Sequence, residues 1–551
     1  MERSQTARTT RSWRCSLATS AEPTGVSRRG FLTRVGATGG AGAMFATMGA
    51  LGLAPSAEAR PRVPFQPPRE SDFRLRGRAA AKVVVLGAGV AGLATAYELG
   101  KAGYRVTVLE AQDRVGGRNR TLRGGDRLTE TGGETQRVGF GDGTYMNAGP
   151  ARIAQWMTTM DYCRELGVPL EVFTNSNAQA YLFNQSAGME APVRWRTAKA
   201  DVYGYISELL AKATDQGALD QRLTSTDKER LLSFLSGFGA IGPKADGYAY
   251  KGGDRRGFTV DPGAGDVEGT VLGPPPSLSD VFAGGVGRYF SFEFGYSQAM
   301  LMFQPVGGMD AIPRALAKAV GRDRIRTGAR VTKITNLAGG VRIQYETGGR
   351  TRLLEADYCV AALPPQVLAK IPHNLGAAVQ SALGTPVPVS TGKIGLEYRN
   401  RWWETEEKIY GGITNTDLDI STIWYPSSGY HGRSGLLVGY YNFGAQADTY
   451  ARLGHAGRLA RALDQGAKIH GDRYREGIAA SASIAWIRQP HIEGGWVDWP
   501  SRGAEYKLLN QPQGNVYYAG DWLSYEIAWQ HGSFESARKV VTELHQRVLK
   551  G

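Results

Sequence analysis

The chain has 551 residues, 42% apolar and 21% charged, with a formal net charge of +14 and three cysteines. That length allows two or three domains around a large core, and the composition is that of a soluble globular protein, not a disordered one. The basic residues are dispersed among acids with no long Lys/Arg block, which reads as solvation and speaks against nucleic-acid binding.

In chain order, an export signal comes first. Ser27-Arg28-Arg29-Gly30-Phe31-Leu32 is a twin-arginine pattern, followed by a mildly apolar Gly/Ala stretch and the small-x-small site Ala57-Glu58-Ala59. Residues 1–59 therefore read as a signal peptide cleaved near Ala59, and a secreted or periplasmic location follows. The apolar stretch is too weakly hydrophobic for a stable membrane span, and no later segment approaches one. Residues 60–78, rich in Pro and Arg, read as an arm or linker. Because 1–59 hold seven Arg and three acids, about +10 of the charge lies beyond them.

The run from Lys82 to Glu110 carries the strongest signal. An apolar strand (Lys82 to Leu86) meets Gly87-Ala88-Gly89-Val90-Ala91-Gly92, then a helix (Leu93 to Lys101), then Val106-Thr107-Val108-Leu109-Glu110. Strand, glycine turn, helix, strand and acid make one complete dinucleotide-binding βαβ unit. Gly87 makes the tight turn, Gly89 lets a pyrophosphate approach the backbone, and Gly92 lets the helix pack close. The helix N-terminus offers free N–H groups to the phosphates. Glu110 can accept from both ribose hydroxyls and would repel a 2′-phosphate, which points to NAD or FAD and away from NADP.

Beyond it, Gly116-Gly117-Arg118 forms a second anion-friendly turn. Helical periodicity marks Ala198 to Thr214 and Ser225 to Phe238, and a Gly/Pro-rich loop runs from Gly252 to Pro276. Gln304-Pro305-Val306-Gly307-Gly308-Met309 precedes a further helix, with strands at Ile325, Val331, Val341 and Tyr358 to Leu363. Val/Ile/Tyr-rich strands follow at Gly392 to Tyr398, Ser421 to Tyr425 and Gly435 to Tyr441. A last short strand ends in Ala519-Gly520-Asp521 before a helix from Gly532 to Leu549. The seven histidines show no metal spacing, and no hydrolase motif is present. Beyond the signal only Cys163 and Cys359 remain, enough for one disulfide, though Cys359 sits in an apolar strand and reads as buried.

The segment Glu110-Ala111-Gln112-Asp113-Arg114-Val115-Gly116-Gly117-Arg118 and the distant Ala519-Gly520-Asp521 resemble the FAD-binding signatures of the flavin-containing amine oxidase family. Within it the chain is most similar to bacterial broad-specificity L-amino-acid oxidases, from about Lys82 to its end. The resemblance implies an α/β fold: a discontinuous Rossmann-like FAD-binding domain (79–150, 303–365, 483–551), an inserted helical domain (151–302) and a sheet-based substrate domain (366–482). It implies FAD contacts at Gly87, Ala88, Gly89, Gly92, Glu110, Ala111, Arg118, Gly149, Ala151, Arg152, Val331, Trp486, Gly520 and Asp521. With no cysteine beyond Cys359, a C-terminal cysteinyl flavin is excluded and non-covalent FAD is expected.

An amino acid needs a fixed cation for its carboxylate, and Arg gives bidentate geometry. Gly149-Pro150-Ala151-Arg152-Ile153 is similar to the family stretch whose arginine has that role, although Ala154 stands where proline is usual. A tyrosine on a substrate-domain strand is the second ligand; strand alternation sends Tyr440 and Tyr441 to opposite faces, and the flanking segments favour Tyr441. Trp529 is placed against the flavin, Trp496 and Gln298 in the pocket, and Lys393 where it holds a water that promotes flavin reoxidation. The activity so implied is oxidative deamination of L-amino acids by molecular oxygen to 2-oxo acids, ammonia and hydrogen peroxide, in a homodimer. Monoamine or polyamine oxidases and L-amino-acid monooxygenases share the scaffold and are the rival readings. A non-catalytic dinucleotide-binding protein is the remote one.

Overall fold

The computed structural model describes residues 73–290 and 292–550, so the expected export signal and most of the arm lie outside the described residues. Five parallel strands form the sheet that positions the cofactor, in the spatial order Ile325–Arg326, Arg105–Leu109, Lys82–Leu86, Tyr358–Ala361, Val516–Tyr518. Side chains alternate across a strand, so each of these strands feeds two cores. Val83, Val85, Val106 and Val108 face a layer of three helices, Val90–Lys101, Ala311–Val320 and Gln530–Leu549. Val84, Leu86, Cys359 and Ala361 face the opposite core, with the short helices Ala377–Leu383 and Ala504–Leu509 and an antiparallel sheet of Arg330–Leu337, Gly340–Thr347 and Arg350–Ala356.

A second sheet has seven strands, in the order Ile478–Ala485, Thr391–Tyr398, Gly435–Phe443, Thr422–Trp424, Ile413–Thr416, Tyr181–Phe183, Val193–Arg194. Its outer core is unusually aromatic: Ile394, Leu396, Tyr398, Leu437 and Tyr440 pack with Trp402, Trp403 and Tyr474. The helices Trp195–Asp215 and Ser225–Gly239 occur where periodicity places them; Thr224 caps the second, with Asp227 closing a reciprocal capping box.

The stretch 151–302, read from sequence as helix-rich, holds strands beside its helices. It supplies Tyr181–Phe183 and Val193–Arg194 to the seven-stranded sheet, and Leu170–Thr174 to an antiparallel pair with Leu301–Pro305. Leu368, Val379 and Leu383, from the start of the segment 366–482, pack in the core under the parallel sheet. The strands Tyr181–Phe183 and Val193–Arg194 hold three and two residues, which carry too little periodicity to be read from sequence. Cys163 and Cys359 are both free and buried, so the one disulfide their number allows is not formed. No helix among the described residues is long and apolar enough to cross a membrane.

Candidate active site

The glycine turn opens a cavity of about 330 Å³ at the carboxyl ends of the parallel strands. Gly87, Gly89, Glu110, Ala111, Arg118, Val331, Gly520 and Asp521 all line it. Gly87 takes φ +95°, which only glycine adopts without strain, and a Cβ there would press on Ala362 O. A Cβ on Gly92 would collide with Gly87 O, whereas one on Gly89 would meet nothing within 4 Å. Gly89 therefore faces open space that a ligand can fill. The helix it caps has no side-chain cap and no acid in its first turn, so its N-terminal amides keep their capacity for an anion. These features fit the pyrophosphate of FAD.

Two expected cofactor contacts also act on the protein itself. Glu110 accepts from Ala88 N (2.7 Å) and Gln112 N (2.8 Å), tying the glycine turn to the end of the second strand. Burial pushes its carboxyl pKa up and those two amides oppose the shift. Arg118 and Asp521, read separately as cofactor ligands, form a bidentate ion pair, and Arg118 also donates to Gly495 O at 2.9 Å. Asp521 accepts from Ala528 N (2.9 Å) as well, so the pair locks the second glycine turn to the C-terminal segment.

A second, smaller cavity of about 70 Å³ shares Arg118, Asn119, Asp521 and Ser533 with the first. Gly149, Tyr441, Trp486, Trp496 and Trp529 line it. Trp486 is fixed by its Nε1, which donates to Ala148 O (2.8 Å). Beside this cavity stand two cations. Lys393, 1% exposed, donates to Asn147 O (3.0 Å) and Gly149 O (2.5 Å). Burial, reinforced by the Arg152 charge, pushes its pKa down to about 7. The Nε and Nη1 of Arg152 are buried and have no hydrogen-bond partner among the described residues. Burial pushes this guanidinium down to about 10, opposed by Tyr441.

Three rings enclose Arg152: its guanidinium lies 4.7 Å from the Trp424 centroid, 5.4 Å from Phe292 and 5.9 Å from Trp529. Lys393 lies 4.4 Å from the Tyr441 ring, its direct register partner on the neighbouring strand, and 5.1 Å from Trp424. Tyr440 points the other way, into the outer core against Tyr450, so the alternation of the two tyrosines holds and Tyr441 faces the cations. Ala151 is buried beneath this turn and lines neither cavity. Gln298 is bonded to Asn175 Nδ2 (3.3 Å) and lines neither cavity either. Trp424 and Phe292 escaped the sequence reading. Trp424 sits at the end of a three-residue strand, in register with Ile413 and Val438, and Phe292 in a short 3-10 turn; neither belongs to a motif.

A discontinuous parallel sheet with a glycine turn at its carboxyl edge, and an aromatic cavity with two cations beside it, mark a dinucleotide-binding protein with an adjoining ligand site. The sequence profile of the flavin containing amine oxidoreductases matches residues 90–545, so the chain belongs to that family and its cofactor is FAD. It is 26% identical to YobN of Bacillus subtilis (strain 168), over 84% of this chain and 94% of that one. It is 26% identical to the L-amino-acid oxidase of Pseudechis australis, over 83% of this chain and 85% of that one. Among solved structures it resembles cyclohexylamine oxidase from Brevibacterium oxydans IH-35A, with a TM-score of 0.57 and 18% identity, covering 86% of this chain and 100% of the other. That likeness concerns the fold.

Proposed function

We propose that this protein oxidises L-amino acids with molecular oxygen to 2-oxo acids, ammonia and hydrogen peroxide. The observation that carries the reading is Arg152, whose Nε and Nη1 are buried in an aromatic enclosure with no hydrogen-bond partner among the described residues. Leaving a buried charged donor unsatisfied is costly, and a carboxylate meets it with two parallel N–H···O bonds. A plain amine offers it no anion and at most one lone pair, which the oxidation itself requires. Tyr441, whose ring faces the same cations, adds a hydroxyl donor for the carboxylate.

The same charges act on the substrate nitrogen. With Arg152 and Lys393 close by, an incoming ammonium is disfavoured relative to the neutral amine, whose lone pair must be free as Cα loses hydride. Gly87, Gly89, Glu110 and the Arg118–Asp521 pair would hold the FAD, and Trp486, Trp496 and Trp529 wall the smaller cavity beside it. Bound FAD would supply the two-electron redox chemistry between substrate and oxygen. The protein contributes orientation, exclusion of water and charge. Lys393 is a buried proton-carrying group suited to the oxygen half-reaction. Export through the twin-arginine pattern and a homodimeric state belong to the same proposal.

A peroxide-release assay across L-amino acids, D-amino acids and amines tests it. L-amino acids are expected to be turned over, and Arg152→Met to lower their kcat/KM about 10–100-fold without lowering any residual turnover of amines. Turnover of amines in place of L-amino acids would sink the reading.

A further inference from the structure

Arg152 and Lys393 are not independent cations. Lys393 Nζ donates to Asn147 O and Gly149 O, carbonyls of the same turn that leads to Arg152. Both cations also lie against one ring, 4.7 Å and 5.1 Å from the Trp424 centroid. No acid among the described residues offsets either charge. The other titratable group facing Lys393 is Tyr441, its register partner, whose phenol is pushed up by burial and stays neutral. On its opposite side the neighbouring strand brings Ile484.

Hydrogen-bond donors separate the two forms of this lysine. A neutral amine has two N–H groups, and the two carbonyls take both. An ammonium has three, and among the described residues the third has the faces of Tyr441 and Trp424 for company. The empty site therefore suits the neutral amine. Burial and the Arg152 charge act in the same direction, holding the pKa at about 7. A carboxylate on Arg152 would reverse the balance, since it offsets the guanidinium charge and brings an anion into the same enclosure. We propose that capture of a carboxylate at Arg152 is coupled to uptake of a proton by Lys393 Nζ. The filled site then holds two cations, and the empty one, above neutral pH, holds one. This inference rests on the reading of Arg152 as the carboxylate-binding group. It sets a condition on the oxygen half-reaction: the Lys393 charge is in place when substrate is bound.

Calorimetric titration of benzoate into the holoprotein at pH 8, in HEPES and in Tris, whose ionisation heats differ, counts the proton. If the bound carboxylate raises the Lys393 midpoint by about one pH unit, uptake is about 0.4 proton per benzoate. Benzamide, with the same ring and no charge, should bring none, and neither should benzoate bound to Lys393→Met. Benzoate stays ionised over this range, so its dissociation constant on the wild-type protein should also weaken roughly eightfold from pH 6 to pH 9. That measurement decides if Lys393→Met does not fold. Benzoate binding without proton uptake, at an affinity independent of pH, would overturn the coupling alone. Uptake that persists in Lys393→Met would overturn it too, by placing the proton elsewhere. Should benzoate bind no more tightly than benzamide, the carboxylate reading of Arg152 falls and the coupling falls with it.

Discussion

Lys393 holds its charge inside the protein beside a second cation, and its partners among the described residues are carbonyl oxygens and aromatic faces. Its folded pKa of about 7 lies below the value near 10.4 of an unfolded lysine. Between those limits the unfolded chain holds more protons than the folded one, so stability rises with pH across the window. The full cost applies at and below pH 7. In Lys393→Met that rise should vanish: denaturant unfolding at pH 7 and pH 10 is expected to differ between wild type and variant by roughly 3 kcal/mol. A difference that does not change with pH would refute the buried charge. Stopped-flow measurements should also show the variant slowed more in reoxidation by oxygen than in reduction by substrate. Among these residues Arg152, Lys393 and Tyr441 could be named from local motifs, since each sits in a strand or turn with a recognisable neighbourhood. The aromatic faces of Trp424 and Phe292 that make the charges tolerable could not, because packing against a cation leaves no trace in local sequence.

The glycine turn shows how one element separates structural from functional demands. Gly92 is needed by the fold, since a Cβ there strikes the Gly87 carbonyl and forces the helix off the strand. Gly89 is needed by the ligand, since a Cβ there points into open space. Gly92→Ala is therefore expected to destabilise the apoprotein by more than about 2 kcal/mol and to abolish yellow colour on purification. Gly89→Ala should unfold at the wild-type temperature without FAD, yet bind FAD at least about tenfold more weakly. Equal loss of apoprotein stability in both variants would contradict this division. The strand–turn–helix–strand unit was readable because its conformation is set within a few residues. The strands at 181–183 and 193–194 were not, because they exist only by pairing with the distant strand Ile413–Thr416 and with each other.

At the scale of the whole molecule, a buried ion pair ties a two-stranded hairpin to the seven-stranded sheet and the helix packed on it. Glu130, beside the hairpin Arg127–Thr129 and Thr135–Arg137, accepts from Arg458 Nη1 (2.8 Å) and Nη2 (2.7 Å) on the helix His455–His470. Both side chains are at most 5% exposed, and Glu130 also accepts from Ala485 N (2.8 Å) at the end of an outer strand of the seven-stranded sheet. Removing one partner strands the other charge out of water, so Glu130→Ala should cost about 3–5 kcal/mol in denaturant unfolding. A loss below about 1 kcal/mol would mean that water reaches Arg458.

The sequence alone determined the cofactor class, the parallel sheet and the identity of the carboxylate-binding candidates. Each of these rests on backbone geometry or residue chemistry confined to a short run, such as Gly87 to Glu110 or Gly149 to Ile153. The tertiary structure decided what surrounds them. It paired Arg118 with Asp521, left the Nε and Nη1 of Arg152 without a hydrogen-bond partner among the described residues and set Trp424 beside two cations. Those relations join segments far apart in the chain. Partners, burial and unmet hydrogen bonds come into existence only when the core closes around them.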